Sequence, residues 1–173
     1  AVKYMVPVIV LSDGYLVNGS EPWLIPNPDD LNDFIANFEK ENTSGEKFLP
    51  YKRDTKTLAR NWAIPGTKGL EHRIGGLEKQ NITGNVNYEP GNHHEMVQIR
   101  AQKVQNIVNE IGPTAIYGKK TGDLLILSWG SAHGSCRLAV ETLLEEKLKV
   151  AHASVQWVNP LPPDLKNILS KYK

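Results

Sequence analysis

His72 and Arg73, in the run GLEHRIGG, carry the side chains best suited to meet an oxyanion, because they set a titratable imidazole and a fixed cation between glycines. A guanidinium offers a carboxylate or phosphate two parallel hydrogen bonds, so this pair could hold an acidic ligand. The competing reading is plainer. Arg73 could form a surface or interdomain ion pair with Glu71 or Glu78, and exposed pairs of this kind are common and weak. Residue type alone favours the plainer reading.

Asp13 is the third candidate. It follows the apolar run Val6–Leu11 at the end where open α/β sheets place ligands, although Asp-Gly also begins turns on local chemistry alone. WGSAHGS, residues 129 to 135, joins an expected strand to an expected helix and could offer backbone N–H groups to an anion, but close strand–helix packing at its glycines is favoured. No Gly-Lys-Ser/Thr follows, so it is not a P-loop. His93, His94 and Glu95 invite a metal reading that helix geometry opposes, since adjacent side chains point about 100° apart. His133 and His152 lack ligand spacing, and Cys136 has no positioned base nearby; all three read as structural. Trp23, Trp62, Trp129 and Trp157 read as core or interface anchors. The residues supply no metal site and no assignable catalytic group.

The elements that must position these groups fall into three stretches. Val6–Leu11, rich in β-branched residues, predicts a strand buried on both faces of a parallel sheet. Asn27 predicts a helix cap, with Pro28 in the first turn and Leu31, Phe34, Ile35 and Phe38 as the apolar face. Residues 44 to 95 show no sustained period yet hold seven of the chain's fourteen glycines. Phe48, Leu49, Tyr51, Leu58, Trp62, Ile64, Leu70, Ile74 and Leu77 are threaded through them, which is too apolar for a disordered linker. The expectation is an extended arm, turning at Gly69, Gly75 and Gly76, that packs against the sheet and presents charged groups.

Val97, Ala101, Val104, Val108 and Ile111 predict a helix from about Asn92 to Ile111, with Asn92 as its cap and Gly112-Pro113 as its stop. Beyond it come strands over 114–118, 123–128 and 149–158 and helices over 135–148 and 163–172. That alternation predicts a parallel sheet with packed helices. Both ends look cut, as in a piece of a longer subunit.

FLPYKRD, LARNWAIPGT, GLEHRIGGLEK and TGNVNYEP resemble the alpha subunit of the 2-oxoacid:ferredoxin oxidoreductases, most closely the 2-oxoglutarate type, and stand in that family's order. VPVIVLSDGYLVNGSEPW resembles the last strand of that subunit's thiamine-diphosphate pyrimidine domain and the turn after it. GDLLILSWGSAHGSCRLAVETL and KVAHASVQWVNPLP resemble the following domain, itself similar to the transketolase C-terminal domain. The resemblance implies that residues 1–25 end an upstream domain, 26–112 form linking helices and the arm, and 113–173 form a truncated transketolase C-terminal-like domain. It implies an assembled enzyme that oxidatively decarboxylates a 2-oxoacid with thiamine diphosphate and Mg. Electrons would pass through an iron–sulfur cluster to ferredoxin, and the acyl group to coenzyme A. It also implies that the activating glutamate lies upstream, and the pyrophosphate site and cluster on a beta subunit, so no cofactor would be bound wholly by this chain. A coenzyme-binding or subunit-assembly module without redox chemistry is the alternative.

Composition constrains the rest. Twenty basic and nineteen acidic side chains in 173 residues give a net charge of +1, so neither nucleic acid nor an anionic membrane surface is indicated. One cysteine excludes an internal disulfide and suits a reducing cytoplasm. No apolar run approaches the ~20 residues of a membrane-spanning helix.

Overall fold

The computed structural model describes residues 1–31, 35–42 and 45–173. They divide into two compact units, one of residues 1–8 and 26–107, the other of residues 9–25 and 108–173.

The second unit is α/β. Its sheet has three strands, β1 (Ile116–Gly118), β2 (Leu124–Ser128) and β3 (Val150–Ser154), in the order β1-β3-β2. β3 is central, so Val150, Ala151, His152 and Ala153 are all buried, as a strand covered on both faces requires. Helix α3 (Ala132–Glu145) links β2 to β3 and buries Val140; the short α4 (Leu165–Leu169) buries Leu165 and Ile168. Cys136 lies on α3, half-buried, as its sequence setting predicts. The sheet is mixed, not parallel: β2 runs parallel to β3, but β1 is antiparallel to it. Periodicity reports which residues are buried and carries no direction, so β1 could not be oriented from sequence. Asp164 fixes the approach to β1 by accepting from the Thr114 amide (2.8 Å) and hydroxyl (2.7 Å).

The run Val6–Leu11 is not a strand here, and Val8, Ile9, Val10 and Leu11 are exposed. A lone strand leaves its backbone groups unpaired, and among the described residues β1, β2 and β3 pair only with one another. Instead the chain turns into α1 (Gly14–Asn18), capped by Asp13.

The first unit contains the expected arm. It is held by single β-bridges, Tyr51 with Ile82, Arg53 with Arg60, and Lys79 with Val86, and not by regular strands. Of the nine apolar residues threaded through it, Leu70 alone is buried; Phe48, Tyr51 and Leu58 are half-buried and the others more open. Tyr4, Ala59 and Met96 are also buried in this unit. Asp54 folds one turn, accepting from Lys56 N, Thr57 N and Thr57 Oγ1.

Helix α2 (Pro90–Gln105) continues into a 3₁₀ turn over Asn106–Glu110. Its cap position is Glu89, because Asn92 is engaged elsewhere: it accepts from Asn81 N and donates to Lys79 O. Its buried side is one step from the predicted stripe. Val97 and Ala101 are exposed while Met96 is buried, because the contacting groups are long polar side chains: Arg53 reaches Met96 Sδ at 3.5 Å, and Lys103 donates to Met5 O at 3.1 Å. The helix predicted after Asn27 is only a 3₁₀ turn, Pro28–Asp30; Asn27 caps it as expected, but Ile35 and Phe38 are neither helical nor buried. Phe38 bridges Trp62 instead, and Phe34 lies outside the described residues. None of the four tryptophans is buried, so they are not core anchors.

Candidate functional site

The arm closes around a cavity of about 380 Å³ whose wall includes Lys47, Phe48, His72 and Arg73. Two glycines allow that closure. Gly69 (φ 77°) lies so near Asn42 that a Cβ would sit 2.9 Å from its carbonyl oxygen, and at Gly84 (φ 70°) a Cβ would meet the Pro50 ring at 2.5 Å. Positive φ and close approach together require glycine at both. Gly75 also has positive φ, with open space around it; Gly76 does not.

His72 stands edge-on to Phe48, ring centroids 5.3 Å apart. Its Nδ1 lies 2.7 Å from Leu70 O and must donate, since a carbonyl only accepts. Arg73 beside it is exposed and, among the described residues, makes no hydrogen bond or ion pair. The two carboxylates proposed as its partners are engaged elsewhere. Glu71 accepts from Gly69 N at 3.2 Å. Glu78 accepts two bonds from Arg100, both 3.0 Å, and one from His93 at 2.7 Å. The Arg100 bonds, helped by His93, pull its carboxyl down from 4.5 to about 2.

The loop that carries His72 and Arg73 is pinned from beneath by Lys79. This side chain is only 3% exposed, yet its ammonium donates to Gly75 O (3.0 Å) and Leu77 O (2.5 Å). A buried lysine must be hydrogen-bonded to be tolerated, and here the acceptors are the carbonyls of the loop itself. Sequence reasoning missed Lys79; the signal was a lysine placed just after Gly75-Gly76, where carbonyls lack regular partners.

Asp13 belongs to the other unit. Its carboxylate accepts from Leu16 N (3.1 Å) and, through Oδ2, from Ser131 N (3.2 Å) at the start of α3. Hydrogen bonds from Ser131, then Leu16, hold its pKa below the usual carboxylate range. A negative group is therefore already seated in the WGSAHGS turn. The packing expected of that turn's glycines is not found: Gly130 serves a left-handed conformation (φ 64°), and Gly134 has open space where a Cβ would be.

His93, His94 and Glu95 diverge, to Glu78, Gln98 and Asn81 respectively. His133 and His152, read singly from sequence, come together with their ring centroids 5.1 Å apart, and His152 Nε2 hydrogen-bonds Ser128 Oγ at 2.7 Å. Adjacent strands bring Ser128 and His152 within reach, a register that sequence does not specify.

Comparison with known proteins follows the motifs. No family model matches the chain. It is 47% identical, over 99% of its length, to the 2-oxoglutarate oxidoreductase subunit KorA of Mycobacterium tuberculosis, and covers 26% of that protein. Among solved structures it is similar to the 2-oxoglutarate:ferredoxin oxidoreductase from Magnetococcus marinus with 2-oxoglutarate, coenzyme A and succinyl-CoA bound. That match has a TM-score of 0.70 and 27% identity, covering 86% of this chain and 25% of the other. The chain thus spans about a quarter of the length of the proteins it matches. Over nearly all of its own length, it is similar to part of the 2-oxoglutarate oxidoreductase subunit KorA.

Proposed function

We propose that this chain is the substrate-facing part of a 2-oxoacid:ferredoxin oxidoreductase alpha subunit, and that the 2-oxoacid is 2-oxoglutarate. The observation that carries the reading is Arg73, a guanidinium with no partner among the described residues, beside His72 on the wall of a cavity. A dicarboxylic oxoacid has one carboxylate beside the reacting carbonyl and one remote from it. The remote carboxylate is the group a bidentate guanidinium would bind and orient, with the His72 imidazole adjacent. Lys79 holds the loop in place for that contact.

Thiamine diphosphate supplies the carbanion chemistry of such an enzyme, and an iron–sulfur cluster carries its electrons to ferredoxin. The chain's own donor set does not fit the cluster or the magnesium ion. One cysteine cannot supply the thiolates of a cluster, and among the described residues no three His, Cys, Asp or Glu side chains converge. We assign these groups to a beta subunit and to parts of the alpha subunit outside this chain, and coenzyme A to the assembled enzyme. Residues 1–25 then complete the upstream pyrimidine domain, which would cover the exposed Val8–Leu11. Residues 26–112 form the linking region and arm, and 113–173 part of a transketolase C-terminal-like domain. Among the described residues no helix is long and apolar enough to cross a membrane, and a cytoplasmic location is proposed with the enzyme.

A coenzyme-binding or subunit-assembly module without redox chemistry is the rival reading. The full-length subunit, reconstituted with its beta partner, should reduce a viologen dye only when 2-oxoglutarate, coenzyme A and thiamine diphosphate are all present. Retained assembly and coenzyme A binding without any oxoacid-dependent dye reduction would support the rival instead.

A further inference from the structure

The α/β unit contains a second cleft, about 320 Å³, that the reading above does not use. Its walls come from four places: Tyr117 on β1, His152 on β3, His133 and Arg137 on α3, and Gln156 and Trp157 after β3. A guanidinium and two imidazoles line it and no carboxylate does. Arg137 lies against the Tyr117 ring, its Cζ 3.1 Å from the centroid. Only its Nε is engaged, donating to Glu141 at 2.9 Å one turn along the helix; among the described residues both Nη nitrogens are without acceptors. The edge of the guanidinium suited to bidentate contact is therefore free.

His152 is 2% exposed, and its bond to Ser128 fixes the ring. Burial first, then the neighbouring His133 and Arg137, push its pKa down. The cleft therefore presents a cation, a neutral buried imidazole and a second imidazole around one space, with Trp157, about half exposed, offering a flat wall. A pocket with a few convergent polar groups is the usual construction of a small-molecule site, and the Nη edge of Arg137, which its Glu141 partner leaves open, is suited to an oxyanion.

We propose that this cleft binds a small organic oxyanion carrying a flat ring, with the charged end on the Arg137 Nη edge and His133 and the ring against Trp157. Phenyl phosphate is the probe, with inorganic phosphate and phenol as the separated halves. Titrated into the isotopically labelled chain, phenyl phosphate should give saturable NMR shifts at the His133, His152 and Trp157 rings, with a dissociation constant of about 1 mM or tighter. Each half should bind at least about tenfold more weakly. Arg137→Gln should weaken phenyl phosphate by at least about tenfold and Trp157→Leu by a smaller factor. If Arg137→Gln fails to fold, the wild-type shift map still decides. Shifts that are absent, that map to the Arg73 cavity of the other unit, or that inorganic phosphate reproduces at equal affinity would overturn the proposal, as would unchanged binding in folded Arg137→Gln.

Discussion

Replacing Glu78 by Gln removes the carboxylate that Arg100, His93 and the Lys79 amide share, and the consequence should depend on pH in a definite way. Glu78 is drawn from 4.5 down to about 2 by Arg100 and His93. A carboxylate whose folded pKa is depressed contributes stability above its unfolded value and loses it as pH falls. The contribution should therefore be complete above about pH 5, shrink below 4.5 and vanish near 2. Full conversion of that shift corresponds to ~3.4 kcal/mol at ~1.4 kcal/mol per pH unit. The carboxylate is 21% exposed but the Arg100 side chain 49%, and solvent screens such a pair, so about 1–2 kcal/mol is the appropriate expectation. Urea unfolding of wild type and Glu78→Gln at pH 7 should differ by that amount, and at pH 2.5 the gap should mostly close. Equal stability at pH 7, or a gap that widens in acid, would refute the electrostatic reasoning.

Lys79→Met should destabilise the arm by about 1–3 kcal/mol, because two loop carbonyls lose their donor, while Lys79→Arg should retain part of the effect. Thermal unfolding checks this, and amide exchange should localise the loosening to residues 73–79. The 173-residue chain assayed alone with 2-oxoglutarate, coenzyme A, thiamine diphosphate and a viologen dye should show no reduction, since the redox groups are assigned elsewhere. Substrate-dependent reduction by this chain alone would contradict that assignment.

What the sequence disclosed and withheld divides along physical lines. β2, α3 and β3 were legible because a short apolar run and an amphipathic helix leave local signatures. The direction of β1 was not, since antiparallel and parallel pairing share one side-chain alternation. The stripe on α2 misled because polar side chains make its contacts, Arg53 reaching Met96 Sδ and the helix's own Lys103 donating to Met5 O, and no apolar count registers them. Val6–Leu11 read as a buried strand on composition, yet burial of a strand depends on neighbours that composition does not contain. At the site, residue type identified His72 and Arg73, whereas the decision between ion pair and free guanidinium rested on Glu78, whose commitment to Arg100 spans 22 residues of sequence. Lys79 and the Ser128–His152–His133 cluster are likewise products of tertiary contact.

If Arg73 holds the substrate's remote carboxylate, as proposed, steady-state kinetics of Arg73→Ala in the assembled enzyme will show it. A rim ion pair contributes ~0–1 kcal/mol, whereas a desolvated guanidinium paired with a carboxylate commonly contributes ~2–5 kcal/mol. The KM for 2-oxoglutarate should rise at least about tenfold, equivalent to ~1.4 kcal/mol, with the KM for coenzyme A little changed. Wild-type KM for 2-oxoglutarate in a fully assembled Arg73→Ala enzyme would contradict it.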